Sequence, residues 1–567
     1  MGNVSGSLIT RNYADFRGVD FTDEEVALTR SPNSLNMWKN YSKLGKCIET
    51  RPEIELVEPY DNTIFGLFFY KVGNTEMMLV HCGTTLYKVV NGVRTQLYAG
   101  LNPRKSFSFV YNNIWYFKDG INYLQFDGET IGEVVGYIPT TSISRSPAGG
   151  GAIYEDVNML TGIRKNTFVA DGESTEYYLD AQNIDTNFQP IVIVNGELVT
   201  GFTVDTTKGM IKFATAPEKP LTDGQDNVSI QFRRTVEGYR DRINKCTLLQ
   251  VFDNRVFFSG NQDYPNTVWH CSLNDPSYCS DLDYYNEGLD LSPVTGMVAG
   301  NNALWVFKEP SQANTTVFYH NPTIDAEYGK IYPSTHSSIS TGCIGGAINF
   351  KDDIAFFSDR GMEAINGDVT TEQVIAHRSS MVDSKLLSEV NYKDMILEEW
   401  KGYLLVIIDN KVYLADSEER YQNQNHIEYE WFYWELPKNI TCTNVKDGVL
   451  YLGTAEGIYS LTDDSDTREV NSHWTTPFDE FNYPHYQKTT NKRGCVTDVT
   501  GESITISVRI DNEEFEEITS HESITNYVVN RIKKKKWKAI QLKFSSNKPF
   551  ELYSSTLEAY VGGYVKR

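Results

Sequence analysis

Nine histidines, eight cysteines and a few acidic clusters are the residues of this chain best equipped for chemistry, and their spacing limits what that chemistry is. His270-Cys271 with Cys279 is the nearest approach to a zinc corner, since imidazole and thiolate are the ligands zinc takes most readily. The competing reading is a loop or strand with small apolar thiols, and the dispersal of the other histidines (81, 320, 336, 377, 426, 473, 485 and 521) favours it. Asp281-Leu282-Asp283 and Asp463-Asp464-Ser465-Asp466 gather carboxylates. A calcium loop of the EF type needs a glycine and a distal glutamate at fixed offsets, and neither stretch supplies both, so solvated acidic turns are expected. No phosphate-binding glycine loop, dinucleotide fingerprint or HExxH occurs. A glycosidase built on sheets around a central cleft would need two facing carboxylates, which spacing alone does not identify. No catalytic, cofactor-binding or metal residue is assigned, and the chain is not expected to be an enzyme.

One segment invites a binding role. Lys533-Lys534-Lys535-Lys536 follows Arg531 and precedes Trp537-Lys538, a pattern that phosphate contacts would use. The residues from Asn471 onward nevertheless carry 14 Lys and Arg against 12 Asp and Glu, so the run lies in a nearly neutral tail. Lysines beside a strand commonly guard a sheet edge or form a solvated face. The specific alternative is a contact with an acidic neighbouring subunit, for which Arg531, Lys533, Lys534, Lys535 and Lys536 are the candidates.

The elements that must position these residues are strands. Ile64–Tyr70, Met77–Val80 and Thr85–Val90 lead to the turn Asn91-Gly92, and Phe107–Val110, Ile114–Phe117 and Tyr123–Phe126 lead to Asp127-Gly128. Later sets include Leu248–Phe252 with Val256–Ser259, Ala303–Phe307, Ile354–Ser358 with Gly361–Ile365, Tyr403–Ile408 with Lys411–Leu414, and Val449–Leu452 with Gly457–Leu461. Each set alternates apolar strand and tight turn, and sets recur at roughly 40-residue spacing, the period of four-stranded propeller blades. A stack of β-sandwiches is the alternative. Two segments break the rhythm. From Ile153 to Thr235 the chain reads as a compact β module behind the hinge Ser146-Pro147-Ala148-Gly149-Gly150-Gly151. Strict alternation in Ser503–Ile510 and Ala539–Phe544 marks the half-buried strands of a carboxy-terminal sandwich.

The expected fold is therefore all-β: a β-propeller of six to eight degenerate blades with an inserted β-sandwich and a carboxy-terminal one. Residues 1–58 are expected as an extended amino-terminal arm leading into the first blade. The propeller takes 59–145 and 237–468, the insert 146–236 and the last domain 469–567. Only residues 381–392 suggest helix. Ser358-Asp359-Arg360-Gly361 is faintly similar to the Asp-turns of sialidases but lacks their Thr and Trp, so a plain strand-to-strand turn is expected there.

Composition narrows the function. Over 567 residues there are 52 Lys and Arg against 75 Asp and Glu, a net charge of −23, which disfavours holding nucleic acid through a basic face. An aromatic content of 13% excludes disorder as the main state. The cysteines, at 47, 82, 246, 271, 279, 343, 442 and 495, contain no CxxC and read as reduced core residues. No signal peptide or membrane anchor is read at the amino terminus or beyond, so a soluble protein made in a cytoplasm is expected.

Three amino-terminal stretches then point to a family. Asn12-Tyr13-Ala14-Asp15-Phe16-Arg17-Gly18-Val19-Asp20 runs into Ser31-Pro32-Asn33-Ser34-Leu35-Asn36-Met37-Trp38 and ends in Leu44-Gly45-Lys46-Cys47-Ile48-Glu49-Thr50-Arg51-Pro52. Together they resemble the amino terminus of the tail hub, nozzle or "stabilisation" proteins of short-tailed bacteriophages, although Cys47 stands where those proteins commonly carry arginine or a small residue. Asp171–Leu179, Ile191–Gly196 and Gly209–Pro217 are similar to a β domain of phage tail structural proteins. Asn471–Pro477 and Tyr560–Arg567 resemble the carboxy-terminal sandwich of the same proteins. The resemblance implies a virion tail component, assembled as a cyclic homohexamer below the portal and adaptor ring. It would form part of the genome-ejection conduit and a mount for fibres or a plug, with double-stranded DNA passing and not specifically bound. A receptor- or glycan-binding propeller at the tail tip is the alternative, and a propeller glycosidase a more distant one.

Overall fold

Strands buried on both faces dominate the molecule, and they set its architecture. The computed structural model describes residues 6–22, 25–42, 47–311, 314–326, 329–337, 339–351, 353–366, 374–423, 426–461, 469–533 and 536–564, with the side chains of 366, 419–423, 426 and 564 left aside. Seven four-stranded sheets are present among these residues, and in each the strands neighbour one another mostly in chain order. Ile64–Val72 opens the first blade, Phe107–Tyr111 the second, Leu248–Phe252 the third, Val294–Gly300 the fourth, Ala347–Phe350 the fifth, Ile396–Trp400 the sixth and Cys442–Lys446 the seventh. The second strand of a blade is the most deeply covered. Ala303–Lys308, Asp353–Ser358 and Tyr403–Ile408 are buried at every residue, as expected where sheets pack on both faces.

The chain divides into two compact units. The first comprises Met1–Phe69, Met78–Gly83 and Thr341–Arg567. In it the sixth blade turns Leu404, Val406 and Tyr413 toward Phe350, Ala355 and Phe357 of the fifth. Its alternate residues Leu405, Ile407 and Leu414 meet Leu450, Leu452 and Leu461 of the seventh. Period-two alternation thus serves two cores from one sheet, the packing that makes a propeller. The second unit comprises Tyr70–Met77 and Thr84–Ser340 and repeats the device. Val256 and Phe258 of the third blade face Tyr116 and Tyr123 of the second, while Phe257 faces Leu304 and Val306 of the fourth. The hairpins close in two-residue turns: Asn91-Gly92, Asn112-Asn113, Asp253-Asn254 and Asn301-Asn302 all have φ between 48° and 76°, a geometry that matches strand twist. The fold class expected from the sequence is the observed one, with seven four-stranded blades among the described residues.

The amino-terminal residues differ from the expected arm. Leu8–Tyr13 pairs antiparallel with Ser555–Tyr560, Ile48–Thr50 pairs with Phe550–Tyr564 near Leu552, and Met37–Trp38 pairs with Ile48–Thr50. These strands join the nine-stranded sheet of the carboxy-terminal domain, whose spine is the 25-residue strand Tyr486–Ile510. Ile54–Pro59 pairs with Gly457–Leu461 and so supplies the fourth strand of the seventh blade, a sheet whose other strands lie some 400 residues later in the chain. Exposed backbone groups on an edge strand drive such pairing, because buried amides need partners.

The insert also starts earlier than its hinge. Thr140–Arg145 pairs in parallel with Ile163–Phe168 and belongs to a six-stranded sheet with Val228–Arg233 and Ile191–Val194. A three-stranded sheet of Glu176–Tyr178, Met210–Phe213 and Phe202–Asp205 packs on it around Phe168, Tyr177, Ile211 and Phe232.

Helix is confined to short pieces. Asp383–Leu386 (α2) falls in the expected stretch, whereas Tyr239–Asn244 (α1) had no sequence signal. The latter is held from outside. Buried Lys118 donates to the carbonyls of Ile243 and Asn244 at 2.6 and 3.1 Å, where a helix leaves acceptors unmet. The ammonium also stands 5.2 Å from the Tyr123 ring centre. Burial pushes the Lys118 pKa from 10.5 down to about 8. Between those values the folded chain has lost a proton that the unfolded chain keeps, so this residue makes stability rise with pH across that window. Lys118→Met is expected to flatten the rise. Urea midpoints of both proteins at about pH 8 and about pH 10.5 measure it, and equal rises in the two proteins would contradict the assignment.

Candidate assembly surface

The residues with chemical potential end up dispersed. Cys271 and Cys279 are buried in the core between the second and third blades. Burial raises the Cys271 thiol to about 12 and the Cys279 thiol well above its usual value, the opposite of what a metal-binding thiolate needs. His270 donates through Nδ1 to the Cys271 carbonyl at 3.0 Å, and burial lowers its pKa to about 4. Among the described residues no three His, Cys, Asp or Glu side chains are grouped to hold a metal ion. Asp281 accepts from the Tyr239 hydroxyl, and Asp463, Asp464 and Asp466 lie outside the described residues. Asp359-Arg360 forms the turn between the second and third strands of the fifth blade.

Beside that turn lies the most chemically dense cluster. A cavity of about 550 Å³ is lined by Thr341, Arg360, Glu363, Ile375, His377 and Glu428. His377, on the last strand of the blade, reaches Asp383 of α2 through Nε2 at 2.5 Å and Glu363 through Nδ1 at 3.3 Å. Burial alone lowers its pKa, but the hydrogen bonds to Asp383 and Glu363 outweigh that and lift it to about 10. An imidazolium held between two carboxylates cannot take up a proton at neutral pH, so its chemistry is that of a clamp. Gly361 makes room for it: a Cβ there would stand 2.2 Å from the Asp383 carboxylate.

The described residues of the basic run are presented outward from a fixed base. Arg531, Lys533 and Lys536 are exposed, while Lys534 and Lys535 lie outside the described residues. Ile532 and Trp537 are buried on either side. Trp537 exchanges backbone hydrogen bonds with Lys488 and donates through its indole to Thr490. The amides of Lys538 and Ala539 both donate to Asp511. Lys536 borders a cleft of about 1080 Å³ whose other lining residues include Glu25, Phe478, Glu480 and Asp511. An edge guard needs only solvated lysines; a base fixed by two buried residues also gives them a set direction.

Three amino-terminal stretches and the one beginning at Asn471 meet the sixth blade in one buried joint, none of it visible as chemistry in the sequence. Val19 donates to the Trp431 carbonyl at 2.6 Å. The chain passes so close there that a Cβ on Gly18, whose φ is +105°, would stand 2.1 Å from the same oxygen. Arg30 forms a two-pronged ion pair with Glu430 at 2.9 and 2.7 Å, both side chains buried. Asn36, at φ 58°, donates to the Asn471 carbonyl and accepts from the Glu435 amide and Arg51 Nε. Arg51 donates in turn to the Pro52 and Glu435 carbonyls. Trp38 stacks on Trp400 at 5.5 Å and meets Trp434 edge-on. Sequence inspection missed Arg30 and Glu430 because 400 residues separate them. An isolated arginine just before Ser31-Pro32 was the only available sign.

No protein-family model and no curated protein sequence matches this chain. Solved structures share its fold class at low identity. BamB from Moraxella catarrhalis is 11% identical over 73% of this chain and 98% of its own, with a TM-score of 0.33. Apo AztD from Citrobacter koseri is 8% identical over 86% of this chain and 90% of its own, at 0.29. Kluyveromyces lactis Hsv2 is 11% identical over 67% and 99%, at 0.25. Likenesses this distant carry no functional inference.

Two expectations follow. Arg30→Met leaves the Glu430 carboxylate buried without its guanidinium and should cost about 3–5 kcal/mol in urea unfolding, with much of it regained in Arg30→Met/Glu430→Met. Equal loss in both variants would contradict the pairing. Because the His377 pKa is raised from 6.5 to about 10, its stabilisation is complete below the lower value and is lost as pH rises through the upper one. His377→Gln should therefore lower the melting temperature at pH near 6 and converge on the parent above pH about 10; a constant difference would contradict the clamp.

Proposed function

We propose that this chain is a structural component of the tail of a short-tailed bacteriophage. It assembles with copies of itself into a ring below the portal and adaptor, forms part of the conduit for DNA, and mounts fibres or a plug. The observation that carries the proposal is the buried joint. The three amino-terminal stretches that resemble the phage family, and the stretch from Asn471, are the segments that meet there. Asn36 bonds to Asn471, and Leu35 bridges to His473. A strap fixed between a blade and a terminal sandwich resists being pulled apart, which suits a part loaded mechanically during genome passage.

Charge supports the same role. With a net charge of −23, concentrated before the nearly neutral tail, the protein repels phosphate, so DNA can pass without being held. Ring contacts draw on rigid faces and aromatic side chains, and the chain carries 35 Tyr.

Mass measurement of the purified protein at high concentration tests the proposal. A closed multiple of the 64.5 kDa chain, six by family resemblance, is expected. A species that stays single and binds polysaccharide would replace this role with the tail-tip glycan-binding one. Release of sugar from host-surface glycan would overturn it in favour of an enzyme.

A further inference from the structure

The segment from Asp281 to Leu291 contains the short strand Tyr284–Asn286, the last of the third blade, and its side chains divide sharply. Those pointing inward are anchored. The buried Glu287 carboxylate meets His320 Nε2 at 2.8 Å and accepts from Ser334 Oγ at 2.5 Å, and its carbonyl accepts from Lys308 Nζ at 2.7 Å. The same Lys308 ammonium bonds Asp290 at 2.5 Å, and the Tyr285 ring lies 4.9 Å from that of His320. Outward, Leu282, Tyr284, Leu289 and Leu291 are 67%, 44%, 107% and 74% exposed. A free loop would tuck such residues in. Here the anchors hold them in water, and apolar groups fixed in place with little left to order are what contact surfaces use.

Electrostatics select the occupant. Asp281 and Asp283 are both held above the ordinary carboxylate range, chiefly by burial, with Asp156 adding repulsion at each. Arg255 offsets part of this at Asp283, and a further cation seated against the pair favours their ionised forms. Six of the eight residues from Arg531 to Lys538 are Lys or Arg, and Arg531, Lys533 and Lys536 project from the fixed base described above. We infer that the Asp281–Leu291 segment of one copy seats the face bearing Arg531, Lys533 and Lys536 of a second copy. The two surfaces differ, so the contact is head-to-tail, and repeating it closes a ring when the rotation permits. This inference rests on the assembly role proposed above and names the surfaces that would carry it.

Complementation separates the two ideas. One variant carries Leu289→Lys and Leu291→Lys, which spoils the seat; the other carries Arg531→Glu, Lys533→Glu and Lys536→Glu, which spoils the basic face. Native mass measurement should find each variant single, and their mixture as one-to-one pairs and nothing larger. In the parent protein, carbodiimide should join Lys533 or Lys536 to Asp281 or Asp283 of another copy, a readout that does not depend on either variant folding. If the parent assembles and the variants assemble equally well, or if single variants fail to pair on mixing and the parent gives no such cross-link, this contact is wrong and the assembly role stands. A parent that never assembles ends both.

Discussion

Antiparallel pairing of Leu8–Tyr13 with Ser555–Tyr560 joins residues some 540 positions apart, and the rest of the first unit depends on it. With the first strand in the last sheet, Val19 and Arg30 lie against the sixth blade, and the joint of Arg30, Asn36 and Arg51 forms there. Ile54–Pro59 then reaches the seventh blade, which has only three strands without it. Closing so long a loop costs little more than closing a short one, because the entropy grows only logarithmically with length. What is gained is a buried ladder and a core that neither terminus could build by itself.

Charge is tolerated inside the first unit where it is paired. Arg30 with Glu430 and Arg378 with Asp353 are shielded from water, and His377 is half-buried between its two carboxylates. The first ties the amino-terminal crossing to the sixth blade, the second joins the end of the fifth blade's last strand to its second strand, and the third holds α2 against the fifth blade. Buried ion pairs of this kind add little net stability but fix register. The outer surface works differently. It is acidic over most of the chain and near neutral at the end, so approach between copies is repulsive except where opposite charges and exposed apolar groups coincide.

The propeller was legible because its signal is local. A strand covered on both faces must be apolar throughout, and Tyr403–Ile408 and Ala303–Phe307 announce that without reference to anything else. Asn91-Gly92 likewise marks a hairpin by its own conformational preference. What stayed hidden depends on partners far away in the chain. Leu8–Tyr13 reads as polar and ordinary, and nothing in it names Ser555–Tyr560. Thr140–Arg145 looks like the end of a blade, yet its parallel pairing with Ile163–Phe168 puts it in the insert. Helix α1 is too short to form by propensity and exists because Lys118 and its neighbours hold its end. The basic run was legible as charge. Its fixed orientation, set by the burial of Ile532 and Trp537, was not.

Native-state hydrogen exchange of the purified chain tests the closure most directly. The amides of Leu8–Tyr13 and of residues 54–58 should exchange as slowly as those of Ser555–Tyr560 and Gly457–Leu461 and be released together with them, because the structure makes them one cooperative unit. Rapid exchange at the amino-terminal strands while their partners stay protected would mean the chain ends are not joined, and the account built on that joint would fail.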